Sequence, residues 1–186
     1  MRRMLRPVLS ALMIGAAIGM VTGGVAVTSS GAEQVASLAC HSAWLTSKMG
    51  RSGATAGTTY YNLEIVNHSD LACTLRGTPT AQPGFITYGM PSFEPVGPPS
   101  GMVSFAGRGK TVVIKPGKIA SVKLGISTAA NYPRSKCAPR TISNVEISFL
   151  TGTPKVHLGY PLPKQAVCTK IDSTSIAGIV LGTHFP

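Results

Sequence analysis

The sequence predicts an all-β chain, an immunoglobulin-like Greek-key β-sandwich held by two disulfides. Three observations predict it: several short period-2 segments bounded by Gly, Pro and Asn turn signals, no alternation of strands with helices, and four widely spaced cysteines, Cys40, Cys73, Cys137 and Cys168. Short strands with turns at modest spacing suit two packed antiparallel sheets rather than a parallel sheet with crossover helices. A true immunoglobulin domain sets a tryptophan between its two sheet-bridging cysteines. Here the single tryptophan, Trp44, lies close to Cys40, so the likeness is one of architecture, and Trp44 is expected to cover the disulfide.

The chain begins with Arg2, Arg3 and Arg6, runs through an almost wholly apolar stretch from Val8 to Val27, and reaches small residues from Thr28 to Ala32. That is the pattern of a secretory signal peptide. Cleavage is expected after Ala32, which makes residues 1–32 the signal and 33–186 the exported domain. Gly15, Gly19, Gly23 and Gly24 weigh against reading the stretch as a membrane span. Leu38-Ala39-Cys40 raises a lipoprotein alternative in which Cys40 is acylated, but Ser37, Glu33 and Gln34 depart from a lipobox and Cys73 would lose a partner. Export takes thiols to an oxidising compartment, so an even count of separated cysteines reads as two disulfides with three connectivities open.

Removing 32 of 186 residues leaves 154, enough for one domain with a sizeable core. The full chain carries 17 Lys and Arg against 6 Asp and Glu, a net charge of +11; without the three leading arginines the balance is 14 against 6, or +8. Such a surface favours anionic partners. The basic residues are nevertheless scattered singly, without the aromatic interleaving of a single-strand binder, so a solvated basic surface is expected and no nucleic-acid site.

Thr59 to Val66 alternates Tyr61, Leu63 and Ile65 with Tyr60, Asn62 and Glu64, a strand with one buried and one wet face. Asn67-His68-Ser69-Asp70 supplies the following turn, since Asn and Asp side chains satisfy nearby backbone groups. In the short strand after it, Leu71, Cys73 and Leu75 face the core, from which Cys73 can reach Cys40 across the domain. Lys110 to Lys115 and Lys118 to Ser127 read as a hairpin joined by Pro116-Gly117, the residues a type II turn requires. Val112 and Ile114 would then face Val122, Leu124 and Ile126, with Ser121 and Lys123 in water. Ser143 to Leu150 alternates Val145, Ile147 and Phe149 inward with Asn144, Glu146 and Ser148 outward. Ile176 to Leu181 is apolar enough for a last strand, weakened by Gly178.

These residues carry a resemblance. Cys40, the Ala56-Gly57 and Tyr60-Tyr61 start of a strand closing on Asn67, the segment Cys73-Thr74-Leu75-Arg76-Gly77-Thr78-Pro79, Ile114-Lys115-Pro116-Gly117 with Ala120, and then Cys137, Val145 and Cys168 follow one another in an order that resembles a secreted actinobacterial family, the domain of unknown function numbered 4232. The resemblance covers nearly all of the exported part. It implies a secreted or envelope-associated β-sandwich with two disulfides and no known enzymatic activity. Cys40 with Cys73 and Cys137 with Cys168 is the expected pairing, because it follows the family order and closes two loops of similar length.

The chemistry-bearing residues form no familiar constellation. His41, His68, His157 and His184 lack metal-ligand spacing, and the cysteines are not in the close pairs of zinc sites. Gly125-Ile126-Ser127-Thr128-Ala129 matches a nucleophile elbow only loosely and ends a strand rather than opening a helix. Glu64 and Glu146 on outward strand faces do not make a glycosidase pair. Asn67-His68-Ser69 matches a glycosylation acceptor, but its turn role accounts for it.

The expected function is therefore an exported, monomeric, non-catalytic module without a cofactor, binding an envelope protein or an anionic polymer, with no membrane span once the signal is removed. The alternatives are an extracellular copper or other metal carrier using His41, Met49 or Met90, and an enzyme with an unfamiliar site. The binding surface is expected in the Pro- and Gly-rich segment from Gly77 to Gly107, where long stiffened loops carry function. Within it Tyr88, Met90 and Phe93 are the expected exposed anchors, while Phe85 and Phe105 are expected to pack on the core.

Overall fold

A computed structural model describes residues 38–77, 79–86, 92–102, 110–149 and 155–183, and these residues are all-β. The predicted signal peptide, residues 1–32, lies outside the described residues, as does Leu150. The strands are β1 (Leu38–Ala39), β2 (Leu45–Thr55), β3 (Thr58–Asn67), β4 (Cys73–Arg76), β5 (Thr80–Ile86), β6 (Phe93–Pro95), β7 (Gly101–Met102), β8 (Thr111–Ile114), β9 (Ile119–Ser127), β10 (Pro139–Phe149), β11 (Val156–Cys168), β12 (Thr174–Ile176) and β13 (Val180–Leu181). Among the described residues helical structure is confined to single turns at Ser42–Trp44, Ala129–Asn131 and Arg134–Cys137. Among the described residues no helix is long and apolar enough to cross a membrane.

Three sheets form. The largest runs β2-β3-β9-β12-β7, with β13 also on β9; a second runs β11-β10-β5-β6; a third, small sheet runs β1-β4-β8. Every pairing is antiparallel except β1 with β4 and β12 with β7. All three sheets feed one core: Leu63 and Ile65 from β3, Val122 and Leu124 from β9, Val145 and Ile147 from β10, Tyr160 from β11, and Leu75 and Ile114 from the small sheet belong to a single buried cluster. Period-2 alternation is what permits this, since every second side chain of a strand shares one face. The inward set predicted for β10, Val145, Ile147 and Phe149, is buried. Trp44, on its helical turn, is half-buried against the same core, with His41 edge-on to its ring at 4.7 Å.

Both disulfides have the expected partners, Cys40 with Cys73 and Cys137 with Cys168. The first does not cross the domain, however. The Cys40 N–H donates to Thr74 O beside the parallel β1–β4 pair, so the bond joins neighbouring segments of one sheet. The second ties the turn Arg134–Cys137 to the end of β11 and sits in a small apolar cluster with Ala129, Tyr132 and Ile171.

Three expectations about exposure are corrected. Asn62 and Glu64 on β3 are buried, 1% and 8% exposed, rather than on a wet face. β3 runs between β2 and β9, so Lys123 stands opposite Asn62, and Lys48 and Ser121 opposite Glu64. In addition β2 bulges between Met49 and Ser52, and Gly50 comes so close that a Cβ there would lie 2.7 Å from Glu64 Oε1. Ser121 is buried because β13 pairs over it, and its hydroxyl donates to Gly182 O at 2.8 Å. Leu71 precedes β4 rather than lying on it and is half exposed.

The largest correction concerns the Pro116-Gly117 segment. The turn forms, with Gly117 at φ +66° and Lys118 N–H donating to Lys115 O at 3.0 Å. The strands it joins are nevertheless not a hairpin: β8 pairs with β4, and β9 pairs with β3, β12 and β13. The reason lies in Asn67. Its Nδ2 donates to Ile114 O at 2.9 Å and to Leu71 O at 2.7 Å, while its carbonyl accepts the Gly117 N–H at 2.7 Å. Asn67 thus holds the end of β8 through its side chain and the turn through its backbone carbonyl, while β9 departs along β3. The predicted terminal strand likewise splits into β12 and β13, with Gly178 in the break.

Candidate functional site

Of the expected anchors, Tyr88 and Met90 lie outside the described residues, as does Phe105. Phe93 opens β6 opposite Ile86 and is half-buried rather than free, because its ring covers Gly84, where a Cβ would meet Phe93 Cζ at 2.4 Å. An aromatic ring over a strand glycine fills the space that residue leaves, which is a packing role. Phe85 packs on the core as expected, with the Arg140 guanidinium 5.8 Å from its ring centre.

The enzyme alternative finds one cluster to weigh. On the outer face of β10 and β11, Ser148 Oγ and Glu146 Oε1 both lie 3.0 Å from His157 Nδ1. A relay needs the hydroxyl and the carboxylate on opposite ring nitrogens, so that the base takes the proton at one and is oriented at the other. Here both converge on Nδ1, so the two groups are not set on opposite ring nitrogens. Ser127 closes β9 at the last pair of the β3–β9 ladder, with its hydroxyl 3.3 Å from Thr58 Oγ1. No group of three or more His, Cys, Asp or Glu able to hold a metal occurs among the described residues. His41 is exposed beside Trp44, Met49 packs against the core, and Met90 lies outside the described residues.

Among the described residues, two tyrosine hydroxyls are perturbed by the fold. Burial pushes Tyr160 well above the ordinary tyrosine range, and the Glu64 carboxylate adds to it; Tyr160 donates to Glu64 O at 3.2 Å. Burial also raises Tyr61, partly offset by the neighbouring Gln165 amide. Both lie in the core, where a neutral phenol supports packing and has no access to a ligand.

A concave feature among the described residues lies elsewhere. Because the chain leaves the Lys115–Lys118 turn into two different sheets, a wedge opens between β8 and β13. It is a groove of about 560 Å³, and Val113, Lys115, Lys118, Ile119, Leu181 and Thr183 line it. Val113 and Leu181 are 41% and 59% exposed, two of the few large apolar side chains left in water. Lys115 and Lys118 are exposed at its rim, and none of the described residues that line it is acidic. Sequence reasoning missed this site. The available signal was Val113, a β-branched residue on the outward register of β8 beside two lysines, but a hairpin reading leaves no groove there.

Residues 40–176 match the family described as Domain of unknown function (DUF4232), and the chain belongs to that family. No curated protein and no solved structure matches the chain.

Proposed function

We propose that this chain is an exported, non-catalytic binding module: an immunoglobulin-like Greek-key β-sandwich that holds a protein or polymer at the cell envelope or outside the cell. The strand orders β2-β3-β9 and β11-β10-β5 support the architecture, since they follow the A-B-E and G-F-C orders of immunoglobulin-type sheets. Two disulfides and no free cysteine among the described residues suit an oxidising compartment. The proposed signal over residues 1–32 supplies the route there.

The observation that carries the binding role is the groove between β8 and β13, concave, apolar and rimmed by lysines. Apolar side chains held in water beside a few polar groups mark interaction sites. The test is site-specific photocrosslinking in living cells, with a photoreactive residue at Leu181 and, as a control, at His157 on the β10–β11 face. A crosslinked envelope species from position 181 alone is the expected result. Equal products from both positions, or none from 181, overturn the reading.

A further inference from the structure

The groove has backbone as well as side-chain walls. In the antiparallel β4–β8 pair, Lys110 O accepts the Gly77 N–H at 3.3 Å, and residues alternate between facing the partner and facing away. Val112 and Ile114 therefore share the β4 ladder, while Thr111 and Val113 turn their N–H and C=O groups to the other side. No described strand pairs with that side. Across the wedge, Gly182 N–H donates to Ile119 O at 2.8 Å, which puts Val180 and Gly182 on the β9 ladder and turns the N–H and C=O of Leu181 away from it. Edge groups of this kind are a template for another strand. Here they accompany exposed Val113 and Leu181, Ile119 between them, and Lys115 and Lys118 at the closed end.

Resting on the binding role proposed for this groove, we infer that its occupant is an extended acidic segment of another protein, which adds a strand to the outer edge of β8. Main-chain hydrogen bonds to Thr111 and Val113 supply the pairing, and alternate side chains divide the contacts. Apolar, β-branched residues meet Val113, Ile119 and Leu181; carboxylates meet Lys115 and Lys118. The same lysines disfavour a second copy of this chain, which carries net positive charge, so edge-to-edge self-pairing is repelled while an acidic strand is attracted.

The test uses purified protein and fluorescent eight-residue peptides alternating Val with Glu, alternating Val with Lys, and the Glu peptide methylated at alternate backbone nitrogens. Fluorescence anisotropy should show the Glu peptide binding at least tenfold more tightly than the Lys peptide, with affinity falling as salt rises. The methylated peptide should lose at least tenfold, and amide hydrogen exchange should slow at Thr111 and Val113. K115E/K118E should reverse the preference between Glu and Lys peptides. V113P removes the outward N–H; if that variant melts early, the methylated peptide decides the same point on the native protein. Equal binding of all three peptides, dimerisation through β8 in sedimentation, or binding of phosphatidylglycerol vesicles with the peptides ignored overturns the inference. Crosslinking from position 181 with no peptide discrimination would remove the acidic strand and leave the binding role standing.

Discussion

The Asn67 side chain makes four hydrogen bonds from a fully buried position: Nδ2 donates to Leu71 O and Ile114 O, and Oδ1 accepts from the N–H and hydroxyl of Ser69. Removing the amide orphans a buried carbonyl and a turn at once. Asn67→Ala is expected to cost about 2 to 4 kcal/mol, since each buried group left unpaired costs on the order of 1 to 3 kcal/mol. Urea unfolding measures it, and a loss below 1 kcal/mol would mean that water replaces the amide. Asn67→Asp keeps the shape but loses the donor, and should fall nearly as far.

Tyr160 gives the fold a limit at high pH. Its hydroxyl ionises with more difficulty folded than unfolded, because burial and then Glu64 oppose the anion. Above the ordinary tyrosine pKa of about 10 the unfolded chain releases a proton that the folded chain retains, so unfolding is favoured as pH rises. The contribution is complete below that pH and is lost above it; Tyr61 acts in the same direction. The expected result is a melting temperature that declines from about pH 10 upward. Tyr160→Phe should flatten that decline while costing about 1 kcal/mol at neutral pH through the lost bond to Glu64 O. An unchanged slope in the Phe variant would show that other groups set the alkaline limit.

At the scale of elements, the Lys115–Lys118 turn shows a local signal read correctly and a pairing that it does not imply. Pro116-Gly117 encodes a tight turn, and the turn is present with positive φ at Gly117. A tight turn between two apolar runs suggests a hairpin because local closure is the simplest way to pair them. Distant groups, above all Asn67, bind the turn and the end of β8 instead. Nothing lies within 4 Å of a Cβ placed on Gly117, so substitutions there are strained through φ alone. Gly117→Val should lose about 1 to 3 kcal/mol, and Gly117→Asn markedly less, because Asn tolerates that region. Equal losses in chemical denaturation would point to contacts rather than dihedral strain.

The same limit governs β3. Its alternation reports which side chains share a face, and Tyr61, Leu63 and Ile65 are in the core as read. Whether the opposite face is wet depends on neighbours. A central strand with a bulged partner closing over it buries Asn62 and Glu64, although their types suggest exposure.

On the scale of the molecule, the disulfides stitch neighbouring segments together, closing loops with sequence separations of 33 and 31. Loops of that length predict about 3 to 4 kcal/mol each from the restricted unfolded state. Cys137→Ala/Cys168→Ala is expected to lose about that amount with the sheets intact by circular dichroism, because that bond lies in its own small cluster. Cys40→Ala/Cys73→Ala should lose more, since both sulfurs also belong to the main core. Non-reducing peptide mapping that joins Cys40 to Cys137 or Cys168 would contradict the topology itself.

By itself the sequence determined the all-β class, the strands with clear alternation, the Asn67 and Pro116-Gly117 turns, the two disulfides and the family, because each is written in local periodicity, backbone chemistry or residue order. Only the tertiary structure decided which sheet β8 joins, that Asn62, Glu64 and Ser121 are covered, that Phe93 fills the space over Gly84, and that a lysine-rimmed groove opens between β8 and β13. Those outcomes depend on which strand lies beside which. Pairing is a contest among long-range hydrogen bonds and apolar contacts, and no window of neighbouring residues contains both contestants.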